Sequence, residues 1–339
     1  MKTRQYHAII ATLTLVGAVV GAGFATGREI WEFFCCHPER WIQGVCLNAL
    51  VFLAGILILM KISSRVDARH YADLLKAIWG PRWALSADLT AALTLYAGLV
   101  VVLAGTGEIL LQMTPLEGPQ TAVAAGALLA SLAAGERGRL MATQTLLVPL
   151  LLALFAGIIL STSSAPVPGA IRGPDPTRPW WLSAALYAGL NTLLASAVIP
   201  ALVSRSTNPA RVNQIALLAT AILGLTTYAL AARIAVLVPT AHAVPLPLQV
   251  VAASAGPIWA GLYVLALLLA LVTTGTACLY GLTSRYAVAE AHLTSTAIVV
   301  SALPWAHMGL IAVVGSLYAL VGWLGVITIL RAVLRLLEP

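Results

Sequence analysis

The stretch "VGAVVGAGFATGREIWEFF", residues 16 to 34, decides how the rest of the chain is read. It begins as a membrane span, yet Gly17, Gly21, Gly23 and Gly27 fall within eleven residues of its middle. Each glycine disfavours a helix interior by about 0.5–1 kcal/mol relative to alanine. Arg28 and Glu29 follow in the same apolar segment. Two readings account for this. Gly17 and Gly21 form a small-xxx-small pair, the pattern of closely packed membrane helices. Alternatively the helix breaks here. Bare peptide groups in lipid cost several kcal/mol each, so a break is tolerable only where a ligand, an ion or cavity water satisfies them.

Working outward, the 339 residues are 60% hydrophobic and only 9% charged, against roughly 25% charged in a soluble domain. The whole chain, 1–339, reads as a single transmembrane domain with the lipid bilayer as its main partner. The net charge of +7 is spread through short loops and makes no continuous basic face, which excludes nucleic acid as a partner. Cys35, Cys36, Cys46 and Cys278 have no metal-binding spacing and read as small apolar residues. No HExxH, GxSxG or phosphate-loop pattern occurs, and no paired carboxylates stand ready for acid–base work. The chain is therefore not expected to be an enzyme, to carry catalytic residues or to need a cofactor. Residues 1 to 25, with Lys2 and Arg4 before an apolar run, share features with a signal peptide. Because "REIWEFF" continues the helical pattern, we expect a retained first span.

A span needs about 20 apolar residues. Ten candidates occur, at roughly 7–34, 41–63, 84–113, 119–134, 139–161, 180–204, 209–238, 257–284, 293–306 and 308–334. They lack the period-two alternation of a strand barrel and are far longer than its strands. Fourteen Lys and Arg residues fall in the loops of one side, including both termini, and three (Arg40, Arg172, Arg178) on the other. Basic loops stay cytoplasmic, so the expected protein is all-α and multi-pass in the cytoplasmic membrane of a bacterium, with both termini in the cytoplasm.

The two halves share a pattern. "YADLLKAIWGPRWA" follows the second span and "LPLQVVAASAGPIWA" follows the seventh. Each is a short segment ending in Gly-Pro before a long span, and Gly80 and Gly256 stand 176 residues apart. The sixth span, "WWLSAALYAGLNTLLASAVIPAL", is interrupted by Gly189 and Asn191, as the first is by its glycines. Halves of five spans, about 1–165 and 175–339, must cross the membrane in opposite directions. That is an inverted repeat, in which paired interrupted helices point to the binding site.

The opening stretch resembles the first-span signature of the YkvI-type family of bacterial membrane proteins. "VVLAGTGEIL", "LYAGLNTLLASAVIPAL" and "SLYALVGWLGVI" are similar as well, so the resemblance covers nearly the whole chain. That family looks like a distant branch of the amino acid–polyamine–organocation (APC) superfamily. The resemblance implies the leucine-transporter (LeuT) fold, a five-plus-five inverted repeat with broken helices one and six. It also implies a secondary active transporter (a symporter for a small-molecule substrate, an amino acid or related amine) driven by cation-coupled alternating access. For the ion, Gly17-Ala18-Val19-Val20 fits the superfamily's G-x-x-V segment, and Ala270-Leu271-Val272-Thr273-Thr274 fits its A-x-x-T-[ST] segment. A tentative sodium site therefore comprises Gly17, Val20, Ala270, Thr273 and Thr274, although Thr273 and Thr274 would equally bond their own helix carbonyls. No Lys lies in residues 139 to 162, which favours sodium over a proton as coupling ion. Phe24 stands where relatives with a second sodium carry asparagine. The substrate position carries over to Gly21, Ala22 and Gly23, facing a break at Gly189, Asn191 and Thr192, with Tyr96 beside them.

Charges within spans carry function or are expensive. Arg28 and Glu29 follow the first break by about a turn and are assigned to a gate towards the outer vestibule, with Glu108 near the outer end of the third span. Arg28 also fits a residue snorkelling at the mouth. Residues 64 to 79 read as an amphipathic interfacial helix, with 245 to 255 as its counterpart over the other mouth. Two other functions remain open at this point, a channel-like permease and a sensory or structural protein that kept the transporter fold. Sequence leaves substrate identity and oligomeric state undetermined.

Overall fold

The computed structural model describes residues 2–68, 71–113, 137–162, 177–204, 209–238, 243–283 and 288–337. Among the described residues every regular element is a helix. Span one is Lys2–Val19, continued by Ala22–Thr26, Arg28–Ile30 and a π-helical turn, Trp31–Cys35. Spans two, three and five are Trp41–Arg65, Ala84–Met113 and Arg137–Ser161. Span six is Trp180–Ser196 followed by Ile199–Ser204. Spans seven, eight and nine are Pro209–Leu237, Pro257–Thr283 and Val288–Ala306. Span ten is Leu310–Val313, a second π-helical turn at Val314–Tyr318, and Ala319–Leu337. The expected fourth span, 119–134, lies outside the described residues.

Five of these helices are long and apolar enough to cross a membrane. The outward faces of the described spans, long and short, are what lipid requires. Leu160, Leu293 and Ile258 are 85%, 78% and 76% exposed, an arrangement that would aggregate in water.

The matched Gly-Pro pairs adopt one local structure. A short helix, Tyr71–Trp79 or Pro247–Ser254, runs up to Gly80 or Gly256, and both glycines have positive φ, 80° and 120°. A left-handed glycine stops a helix, and proline starts the next without losing a hydrogen bond. Both short helices bury one side, Leu74, Leu75 and Ile78 in the first and Leu248 and Val251 in the second. The amphipathic segment expected over 64–79 is thus shorter, because Ser64 and Arg65 complete span two.

Span six corrects the sequence reading. The break expected at Gly189, Asn191 and Thr192 is absent, and Trp180–Ser196 is one continuous helix. Asn191 Nδ2 donates to the Tyr187 carbonyl at 3.0 Å and Thr192 Oγ1 to the Ala188 carbonyl at 2.7 Å, so both polar side chains serve their own helix. Gly189 is a packing glycine. A Cβ there would stand 2.5 Å from the Gly322 carbonyl oxygen and 2.7 Å from Val326 N in span ten. The helix breaks instead at Ala197–Val198, where the N–H groups of both residues reach back only three positions, to Leu194 and Ala195. Pro200 is the cause. It has no N–H for the Ser196 carbonyl, and its ring crowds that oxygen.

Candidate functional site at the helix breaks

Span one does break where its glycines lie. Val20 and Gly21 leave the helix, and the Gly21 N–H turns to the Val19 carbonyl at 2.8 Å. None of the backbone bonds that cross the break ends on the Gly17 or Val20 oxygen. The Thr274 side chain of span eight lies over the turn, its Oγ1 3.6 Å from where a Gly21 Cβ would be. Ala270 is buried one helical turn earlier, while the Thr273 side chain lies outside the described residues. Carbonyls released by a break and a hydroxyl laid over it are the donors a hard monovalent cation takes. Gly17 also serves packing, since a Cβ there would come 2.7 Å from Val148 Cγ2 in span five.

The helix resumes for a single turn and stops again at Gly27, whose φ of 77° a side chain would strain. Tyr263 of span eight donates to the Ala25 carbonyl at 2.7 Å, and Thr26 Oγ1 accepts from the Arg28 N–H at 3.2 Å. Ala22 and Gly23 are buried. Gly23 lies under the carboxyl group of Glu29, with no room for a Cβ between them, and the Tyr318 ring is beside the same point. Glu29 Oε2 accepts from the Tyr187 hydroxyl at 3.1 Å. Glu29 is 3% exposed, so it turns into the bundle rather than towards the outer vestibule expected from sequence. Its helical turn after Gly27 aims it back at Gly23.

Asn191 reaches the same region from span six. With Val19, Phe24, Asn48 and Tyr187 it lines a cavity of about 10 Å³, room for about one water. The Oδ1 atoms of Asn48 and Asn191 are both buried without a hydrogen bond. Asn48 is a buried amide within an otherwise apolar stretch of span two, a signal the sequence carries. A second cavity, of about 50 Å³, lies at the span-six break, where Ser196 and Ala197 face Tyr71 and Leu75 of the short helix.

Three expected site residues lie elsewhere. Gly189 and Thr192 face spans ten and two, Thr192 against Gly55. Tyr96 points away from the break, its hydroxyl donating to the Ser301 carbonyl in span nine at 2.8 Å. Of the three gate residues, Arg28 alone joins a charged network. It is 1% exposed, too buried to snorkel, and pairs with Glu32 at 2.9 Å while its guanidinium lies 4.6 Å over Trp31. Arg178 pairs with the other oxygen of Glu32 at 3.1 Å and stacks on Phe33. Glu108 belongs to a different junction, with its Oε1 3.8 Å from where a Gly309 Cβ would stand, at the start of span ten. Glu32 and Arg178 went unassigned because one sits in an apolar run and the other in a loop.

His37 completes the network, its Nε2 3.0 Å from Ser183 Oγ, which also accepts from Arg178 Nε. Burial, then the Arg178 charge, holds its imidazole below the usual range for protonation. The folded protein therefore keeps His37 neutral where the unfolded chain, titrating near about pH 6.5, takes a proton. Stability from this corner is full above that value and lost as pH falls below it. Melting temperature should drop between about pH 7 and about pH 5.5, and His37→Gln should flatten that slope.

The fold is that of the LeuT-type transporters. Over 94% of this chain and 73% of the other, it superposes on the inward-facing conformation of Mhp1 with a TM-score of 0.66 at 16% identity. On a substrate-bound, outward-open Na+-coupled sialic acid symporter the TM-score is 0.63 at 12% identity, over 98% of this chain and 79% of the other. In sequence, the chain is similar to two proteins of Bacillus subtilis (strain 168). It is 30% identical to the uncharacterized membrane protein YkvI over 188 residues, 54% of each chain. It is 34% identical to the uncharacterized protein YyaD over 104 residues, 31% of this chain and 30% of that one. The chain thus aligns with about half of YkvI or less than a third of YyaD, and no family model matches it.

Proposed function

We propose that this chain is a secondary transporter of the cytoplasmic membrane, within a distant branch of the APC superfamily. It moves a small organic solute, an amino acid or related amine, by cation-coupled alternating access, with sodium favoured over the proton. The observation that carries this reading is the break at Val20–Gly21, with the Gly17 and Val20 carbonyls released and Thr274 over the turn. Gly17, Val20, Ala270, Thr273 and Thr274 supply the ion's oxygens. The backbone of Gly21, Ala22 and Gly23, with Asn191 opposite, cradles the solute. The basic loops put the termini in the cytoplasm, so the Arg28–Glu32–Arg178 network closes the outer mouth, and the cavity beside Tyr71 opens inward. Support comes from the fold, and from neighbours of which one is described as a Na+-coupled symporter.

The test is thermal stability of the purified protein across a panel of amino acids and amines, with and without sodium. Sodium at about a hundred times its Kd is worth about 2.7 kcal/mol to the folded state. The wild type should show that rise, and Thr274→Ala should lose it. A wild type indifferent to sodium and to the whole panel would sink the proposal. An unchanged rise in the variant would move the ion elsewhere.

A further inference from the structure

The Glu29 carboxyl group is the least explained charge in the molecule. It is 3% exposed and touches three elements: the span-one break at Gly23, Tyr187 of span six and Tyr318 in the π-helical turn of span ten. Tyr187 supplies its one hydrogen bond, and no cation is within ion-pair distance of it among the described residues. The two nearby guanidiniums are committed elsewhere, since Arg28 and Arg178 both hold Glu32. The titratable groups that face it are Tyr187 and Tyr318, with Cys278 of span eight behind Tyr318. All are neutral at physiological pH in their ordinary forms.

An ionised carboxylate enclosed this way, with a single donor and no counter-charge, costs several kcal/mol. A carboxylic acid in the same place is a neutral group whose oxygens already have a donor and a close-packed wall. The enclosure is also conditional. It is assembled from the turn between two breaks, at Gly21 and Gly27, and from one of the two π-helical turns, which concentrate at functional sites.

We propose that Glu29, enclosed by Gly23, Tyr187 and Tyr318, is a proton-binding site, loaded when these elements close and emptied when they part and admit water. The atoms balance simply. On closing, the Glu29 carboxylate takes one proton from hydronium and leaves water, and on opening the carboxylic acid returns that proton to water as hydronium. The inference rests on the alternating-access reading for its opening step, and not for the site itself. It adds a proton to the cycle whether or not sodium binds at Thr274.

Infrared spectroscopy of the purified protein in lipid at neutral pH tests the site. Wild type should show the C=O stretch of a protonated carboxylic acid, and Glu29→Gln should lose it. Tyr187→Phe should keep the band, because a neutral acid does not depend on that donor. Glu29→Gln should melt within a few degrees of wild type, since the amide mimics the protonated group. Identical spectra of wild type and Glu29→Gln, or a large fall in the melting temperature of the variant, would overturn the assignment. In proteoliposomes with an amino-acid panel outside and a pH dye inside, wild type should acidify the lumen and Glu29→Gln should not. Equal acidification by both would remove the proton from Glu29. The band without flux from either form upholds the proton site and counts against the transporter reading alone.

Discussion

Glu32→Gln is expected to unfold far more readily than wild type, by about 3 kcal/mol, the range seen when one partner of a buried ion pair is removed. The reason is geometric. One Glu32 carboxylate faces two guanidiniums, Arg28 at 2.9 Å and Arg178 at 3.1 Å, and the Arg28 side chain is 2% exposed. The amide leaves the Arg28 charge without its carboxylate in a place that water reaches poorly. Arg178 is more accessible, at 16% of its side chain, and should tolerate the loss better. Pairing Glu32→Gln with Arg28→Met should recover most of the stability, because the stranded charge is gone. Melting curves of the three proteins decide this. A single variant within about 0.5 kcal/mol of wild type would mean that the network is solvated and contributes as a surface pair does.

Gly189→Ala should be among the most damaging single methyl additions to the described helices, in a class with Gly325→Ala, whose Cβ would meet the backbone of Gly189 itself. A Cβ at Gly189 meets the Gly322 carbonyl oxygen, the Val326 nitrogen and the Gly325 carbonyl carbon, all within 3.1 Å and all backbone. No rotamer change relieves that contact, so spans six and ten must separate. Overpacking costs about 1–3 kcal/mol even where side chains yield, and here nothing yields, so about 3 kcal/mol is expected. Gly261→Ala is the control. A Cβ there meets nothing within 4 Å, and alanine in a helix interior should gain about 0.5–1 kcal/mol. If Gly189→Ala instead kept wild-type stability and lost only ligand response, Gly189 would belong to a binding cradle after all.

The contrast between Gly21 and Gly189 shows where local pattern misleads. Both are glycines midway along an apolar span. Gly21 stands where the backbone turns, while Gly189 stands where another backbone approaches. The local difference is glycine density, since Gly17 and Gly23 flank Gly21 while no other glycine lies within five residues of Gly189. For span six the usable signal was Pro200, whose missing N–H dictates a break on chemical grounds alone. Tyr96 shows the same limit. Its place midway along span three was legible, but the face it turns towards Ser301 depends on how span three sits against span nine.

By itself the sequence located the described spans approximately, offered the break in span one as one of two readings, and paired the Gly-Pro turns at Gly80 and Gly256. Each follows from hydropathy, helix propensity or a fixed φ, and these act within a few residues along the chain. Only the tertiary structure decided which charges meet. Arg178 reaches Glu32 across 146 positions of the chain, and Tyr187 finds Glu29 across 158. Such contacts are set by the way helices pack side by side. The energy of a buried charge depends on those neighbours far more than on the residues beside it in the sequence.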